Sequence, residues 1–473
     1  MKVLFIYLDI NIDPNYKGYG YIGLSYLSAA LKKHGFKTSL LHILSLTSLN
    51  EIVSKVQAER PDVIAYTATT NIAPFVKQWA GPIKELLGVP TIFGGVHASL
   101  KPQECIEFDG IDMVCVGEGE EPLLDVCRRI RDGNLDMSDI PNIWSIQDGK
   151  IYKNNPRSLT SDLDEIHFPD PELYRDISTD VYTIITSRGC PFKCTYCFNV
   201  AYRKIVAADG PYVRFRSPEN VIKELKWALD MNPSIKMIQF LDDILPLRKK
   251  QFRDLCHLYA KEINLPYMAS VRPELINEEN AQLFKDSNCY EIYIGIESAD
   301  EYIRNKILKR NLTLKQIENA FSLCHKHNIR TVSYNIVGSP FEGKEAIMST
   351  LKLNARLNIK TIKASLFYPF PGTELEKICR DNSLIEKEWN MDYFTDSLLN
   401  FDRGMKEFIY FIRRFFIPIA RFYSKLYKLP PQLSNITIAA ADKIVMNSTF
   451  CAAVNRLKET YAKVRQIRRA LWR

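Results

Sequence analysis

The stretch SRGCPFKCTYCFN sets three thiols, Cys190, Cys194 and Cys197, at the spacing C-x3-C-x2-C directly after a run of strand-forming residues. A structural zinc site closes itself with four protein ligands. No fourth ligand lies nearby, since the nearest upstream histidine is His167 and the next downstream cysteine is Cys256. Three thiolates on a four-iron cluster would leave one iron without a protein ligand, open to a small molecule. Such an arrangement is catalytic instead of structural. Chance spacing among the eleven cysteines is the plain alternative. The remaining cysteines show no framework spacing, and the N-terminus MKVLFIYLDINIDP reads as a first strand, so free thiols in a reducing cytoplasm are expected.

The elements that must position these thiols form two series in a chain of 473 residues, too long for one ordinary domain. KVLFIYL, TSLLHI, DVIAYTAT, TIFGG and MVCVG alternate with amphipathic stretches such as IGLSYLSAALKKHG and PFVKQWAGPIKELLG. This rhythm predicts an α/β fold with an N-terminal doubly wound parallel sheet, Rossmann-like, that binds ligands at the carboxyl ends of its strands. IWSIQ and KIYKN close it as a hairpin about Asp148-Gly149, giving a first domain over 1–154 and a linker over 155–180. VYTIITS, MIQFLDD, YMASVRP, YEIYIGIES, RTVSYNIVG and TIKASLFYPF, separated by helical sequence, predict a partial (β/α)6 barrel over 181–385. Beyond it, 386–473 reads as a basic helical region. No run approaches the ~18 apolar residues of a membrane span.

With the cysteines placed after the first barrel strand and an aromatic, Tyr196, before the last of them, the chain resembles the radical S-adenosylmethionine (SAM) superfamily. The resemblance implies a [4Fe-4S] cluster on Cys190, Cys194 and Cys197, with SAM on the open iron, and an electron donor such as flavodoxin or ferredoxin. It implies SAM contacts from Tyr196, Asp242, Asp243, Arg272, Glu297, Gly338 and Pro340, and a cluster loop shaped by Gly189 and Pro191. FLDD departs from the Gly-Gly-Glu usual at its position. Taken singly, each acid could equally be a solvated or capping carboxylate.

KGYGYIGLSYLSAAL offers a literal G-x-G-x-x-G at Gly18, Gly20 and Gly23. A dinucleotide site needs these glycines directly after the first strand and an acid about twenty residues on. Here strand 1 ends near Leu8, and strand 2 ends in His42-Ile43. The helix opening YIGLSYLSAAL, the turn GGVHAS and the segment VGEGEEPL instead resemble the cobalamin (B12)-binding domains fused in front of many radical SAM enzymes. This resemblance implies cobalamin contacts from Gly94, Gly95, His97, Gly117, Glu118 and Gly119, without the D-x-H-x-x-G motif that supplies a histidine to cobalt. His97 could equally be a core histidine bonded to backbone.

Residues 405–473 carry 14 Lys and Arg against three acids, Glu407, Asp442 and Glu459, so the basic balance of the chain resides in its tail. On a helix over 405–429 the six cations share about a third of the circumference, opposite Phe408, Phe411, Ile412, Phe415, Phe416, Ile419, Phe422 and Leu426, with Pro418 as a kink. That face could lie peripherally on an anionic membrane or pack on the barrel. No RNA-binding module is recognisable, and no second cysteine set of the RNA methylthiotransferase kind, so nucleic acid is not expected as a partner. The combined resemblance implies a cobalamin-dependent methyltransferase acting on an unactivated carbon or phosphinate centre of a small-molecule or lipid-like substrate. A non-methylating oxidoreductase or cyclase is the second enzymatic reading, and a corrinoid-binding sensor module the reading from another class.

Overall fold

Short apolar runs buried on both faces build the first sheet, as parallel strands covered by helices require. The structure, a computed structural model, describes residues 1–10, 20–45, 48–174, 180–206, 210–385 and 396–458. Asp13, Gly18, Glu459 and the parts 386–395 and 459–473 of the basic region lie outside them. Strands β1 (Lys2–Leu8), β2 (Lys37–Ile43), β3 (Val63–Thr67), β4 (Thr91–Gly94), β5 (Met113–Cys115), β6 (Ile143–Gln147) and β7 (Lys150–Lys153) lie in the order β2-β1-β3-β4-β5-β6-β7. The first five are parallel; β6 and β7 form the expected hairpin, which pairs antiparallel with β5 and extends the sheet. Asp148 and Gly149 both take positive φ, the geometry of a two-residue hairpin turn.

The two-residue period of β1 divides the core. Val3 and Phe5 pack with Leu24 and Leu31 of the helix Ile22–Lys33, while Leu4 and Ile6 pack with Val76 and Trp79 of the helix Ala73–Leu87 on the opposite face. Strand order reverses between β1 and β3, which opens a crevice at their carboxyl ends.

The second sheet begins with β8 (Val181–Ile184), followed by a small antiparallel arm of β9 (Ser187–Arg188) and β10 (Arg214–Phe215). It continues through β11 (Met237–Phe240), β12 (Tyr267–Val271), β13 (Cys289–Glu297), β14 (Arg330–Val337) and β15 (Thr361–Leu366). These six principal strands are parallel and in chain order, the sequence of an open βα barrel. VYTIITS was expected to run as one strand to residue 187. It breaks because the buried Asp242 carboxylate accepts the Thr186 N–H (3.1 Å) and hydroxyl (2.8 Å), drawing this backbone out of the ladder. Asp170, in the segment between the sheets, is also tied down: it accepts from Ser28 (2.6 Å) and pairs with Lys32 (2.8 Å).

The helix Arg403–Leu426 starts at an Asp402 cap and loses helical geometry at Phe415, three residues before Pro418, where the proline ring crowds the preceding turn. Phe408, Phe411, Ile412 and Phe416 are buried in the barrel core beside Ile347 and Leu351. Each such burial contributes about 1.5–3 kcal/mol. Lifting this part of the face onto a membrane would forfeit several of these contributions, so Phe408 to Phe416 pack on the barrel, while Phe422 further along the same face stays exposed. Among the described residues no helix is long and apolar enough to cross a membrane.

Candidate active site

Between the two sheets lies a cavity of ≈ 580 Å³. One wall is the carboxyl edge of the first sheet, with Thr67, Gly94, Gly95, Gly117 and Gly119; the other is the segment around the cysteines, with Arg188, Gly189, Phe198, Asn199, Tyr202 and Tyr212. Gly95 is required on two counts and Gly117 on one. Both have positive φ, and a Cβ on Gly95 would stand 2.6 Å from the Thr67 hydroxyl oxygen. The result is a flat backbone floor beneath largely apolar and aromatic sides, suited to a large ring.

His97, expected to face that ring, is absent from the cavity wall. Its Nδ1 lies 3.3 Å from the Thr70 hydroxyl, its Nε2 has no partner, and burial lowers its pKa to about 4, leaving a neutral core histidine. Glu118, expected to touch cobalamin, does line the cavity, but its carboxylate is spent on two arginines of the β9–β10 arm: Arg214 (2.6 Å) and Arg188 (3.2 Å). Those guanidiniums hold its pKa below the usual carboxylate value despite the burial that pushes the other way. Arg188 also pairs with Glu120 (2.6 Å). The GEGE turn therefore clamps the first sheet to the barrel arm. Arg214→Met should leave Glu118 with Arg188 alone and cost about 1.5–3 kcal/mol, the loss of a hydrogen bond to a charged group, read as a fall in unfolding free energy by urea titration.

The cysteine loop is fixed from three sides. A Cβ on Gly189, at φ +87°, would meet the Tyr212 carbonyl at 2.5 Å. Thr195 donates from its amide to the Leu308 carbonyl (3.2 Å) and from its hydroxyl to the Ile307 carbonyl (2.6 Å), and Leu375 N–H donates to the Thr195 carbonyl (3.0 Å). Cys190 and Cys194 are buried and Cys197 partly so. As free thiols, Cys190 is pushed up to about 12 and Cys197 to about 11, burial first in each case. Iron is the partner that would keep such buried thiols deprotonated at neutral pH. Among the described residues no three His, Cys, Asp or Glu side chains are grouped to hold a single metal ion. Ligands to three separate irons of one cluster need no such convergence.

The remaining expected SAM contacts divide into two groups. Tyr196 and Glu297 come together at the barrel mouth: the tyrosine hydroxyl donates to Glu297 Oε1 (3.3 Å), and Arg310 donates to that hydroxyl (3.2 Å) and to the Gly295 carbonyl (2.6 Å). Glu297 takes φ +61°, a costly conformation for a residue with a side chain, and burial raises its pKa. A Cβ at Gly295 would fall 2.4 Å from Glu297 Oε1, so only glycine leaves room for this pair. Asp243 lines the cavity, and its pKa is raised by burial.

The others are turned elsewhere. Asp242 is committed to Thr186 and Ser187 and serves as the anchor of the loop entering the cysteines. Arg272 is directed at the cysteine loop itself, with Nη1 3.4 Å from Cys194 Sγ. Gly338 has φ +79°, and the space a Cβ would enter is held by Ile409 at 3.2 Å, so the glycine admits the basic helix. Pro340 is buried in the same turn. Glu342 fixes that turn by accepting the N–H groups of Gly338 (2.8 Å) and Ser339 (3.0 Å).

Burial pushes Glu342 up from 4.5 to about 8. In that interval the fold keeps a proton that the unfolded chain has lost, so the contribution of Glu342 to stability is full below pH 4.5 and falls as pH rises toward 8. Glu342 should pull the melting temperature of the wild type down across this window. Glu342→Gln should flatten the decline, as measured by calorimetry at a series of pH values.

The Radical SAM superfamily pattern matches residues 184–353, and the B12 binding domain pattern residues 18–126. An uncharacterized methyltransferase of Pyrococcus horikoshii is 30% identical over 382 residues, which span 78% of this chain and 80% of that protein. The anaerobic magnesium-protoporphyrin IX monomethyl ester cyclase of Rubrivivax gelatinosus is 24% identical over 79% of this chain and 69% of its own length. Among solved structures, the radical SAM methyltransferase TsrM of Kitasatospora setae, with cobalamin and a [4Fe-4S] cluster bound, superposes with a TM-score of 0.65. That likeness covers 82% of this chain and 79% of TsrM at 19% identity, and carries the fold. Both patterns and the archaeal relative lead to one assignment: the chain belongs to the cobalamin-dependent radical SAM methyltransferases, enzymes whose cofactors are a [4Fe-4S] cluster, SAM and cobalamin.

Proposed function

We propose that this enzyme methylates an unactivated carbon or phosphinate centre of a small-molecule or lipid-like substrate within the cavity between its two sheets. Cys190, Cys194 and Cys197 hold the cluster; Tyr196, Asp243 and Glu297 bind SAM beside it; and Gly94, Gly95, Gly117 and Gly119 floor the corrinoid site. The observation that carries this reading is that one ≈ 580 Å³ cavity has the glycine turns on one wall and, on the other, Gly189, Phe198 and Asn199, which flank the three cysteines in sequence. When bound, the cofactors supply hydrogen-atom abstraction and methyl transfer, while the chain supplies position and dryness. Tyr202, Tyr212 and Phe198 exclude water from the shared space. Electrons come from a protein donor of the flavodoxin or ferredoxin kind.

The likeness to a protoporphyrin cyclase favours a second reading, a ring-forming oxidation at the same site. Product analysis separates the two. Anaerobic turnover with a low-potential reductant should release S-adenosylhomocysteine beside 5′-deoxyadenosine if methyl transfer is the reaction. Release of 5′-deoxyadenosine alone, with the substrate consumed, would support cyclisation.

A further inference from the structure

Arg272 follows β12 and is 4% exposed, and each of its three nitrogens donates to a partner within the protein. Its Nε donates to Glu274 (2.7 Å), Nη2 to the Arg310 carbonyl (2.7 Å) and Nη1 to Cys194 Sγ (3.4 Å). The guanidinium lies over the Phe192 ring, 3.8 Å from its centroid. A planar, permanently charged group fixed at four points is preorganised in a way that lysine could not reproduce. The segment it touches is the loop between Cys190 and Cys194. A weaker donor addresses another sulfur, Asn199 Nδ2 at 3.8 Å from Cys197 Sγ.

We infer that Arg272 is a positioning residue that sets the reduction potential of the cluster through its N–H···S contact with Cys194. The inference rests on the reading of Cys194 as a cluster ligand. Adding an electron increases the negative charge on cluster and thiolates, and a nearby cation with an N–H aimed at the sulfur favours the reduced form. Net charge, hydrogen bonds to the sulfurs and solvent exposure are the levers that set iron–sulfur potentials. Arg272 works on the second of these by donating to a sulfur, and its charge is shared between that sulfur and Glu274, with which it pairs at 2.7 Å. This assignment replaces the SAM contact expected from its place at a strand end.

The test is a redox titration of the anaerobically reconstituted full-length enzyme, followed by electron paramagnetic resonance without SAM. Arg272→Met should lower the midpoint potential by at least the equivalent of a tenfold change in the reduction equilibrium, about 59 mV for one electron. Arg272→Lys, which keeps the charge but not the fork or the stacking, should shift it in the same direction by less. Should the methionine variant fail to load its irons, the lysine variant carries the measurement. A fully loaded variant with the wild-type potential would overturn the inference and leave the cluster reading intact. Wild-type protein that assembles no cluster would overturn both.

Discussion

Cys194→Ala is expected to abolish reductive cleavage of SAM, with 5′-deoxyadenosine formation falling on the order of 100-fold or more. Loss of a partner beyond the ligand shell costs ~10–100-fold in comparable sites, and a missing ligand should exceed that range. The effect should be chemical and not a loss of folding. The loop around Cys194 is held by backbone bonds from Thr195 to Leu308 and Leu375, none of which uses the sulfur. Circular dichroism of the variant should therefore match the wild type while its iron content drops below the about four per chain of a complete cluster. Wild-type yields of 5′-deoxyadenosine from Cys194→Ala would remove this cysteine from the cluster.

Gly119→Phe should block cobalamin while sparing the cluster. Gly119 has φ −105°, open to any residue, and a Cβ there would meet only Leu27 Cδ2 at 3.3 Å and softer contacts at 3.8 Å. The benzyl group then has to occupy the cavity that Gly119 lines. Gly95 and Gly117 are poorer choices for this test, since their positive φ would add backbone strain to the steric effect. Corrinoid affinity should fall tenfold or more, each tenfold being about 1.4 kcal/mol. Spectra after gel filtration would show the iron–sulfur absorbance retained and the corrinoid bands lost. Undiminished corrinoid retention would place the ring elsewhere.

Much of this architecture could be read in the sequence, because it rests on local signals. The hydrophobic runs marked all the principal strands, and Asp148-Gly149 marked the hairpin. What the sequence concealed was direction. Asp242 and Asp243 are adjacent just beyond β11, yet one anchors Thr186 while the other lines the cavity. His97 follows the glycine floor in sequence, yet its ring turns into the core beside Phe93. Long-range partners were equally hidden. Arg188 and Arg214 lie across a short antiparallel pairing and meet Glu118 from another sheet; only Arg188, inside SRGC, had a motif to draw notice. Arg310 joins Tyr196 and Glu297 from a separate loop, a juxtaposition that no spacing announces. For the basic tail, periodicity identified the apolar face but not its partner. The barrel core supplied that partner through Ile347 and Leu351.

The central claim is that one chain holds a cluster and a corrinoid at a shared cavity. Elemental analysis tests it most directly: protein reconstituted anaerobically with iron, sulfide and hydroxocobalamin, then freed of unbound metal by gel filtration. The account predicts about four irons and one cobalt per chain. Iron without cobalt, or cobalt without iron, would contradict it.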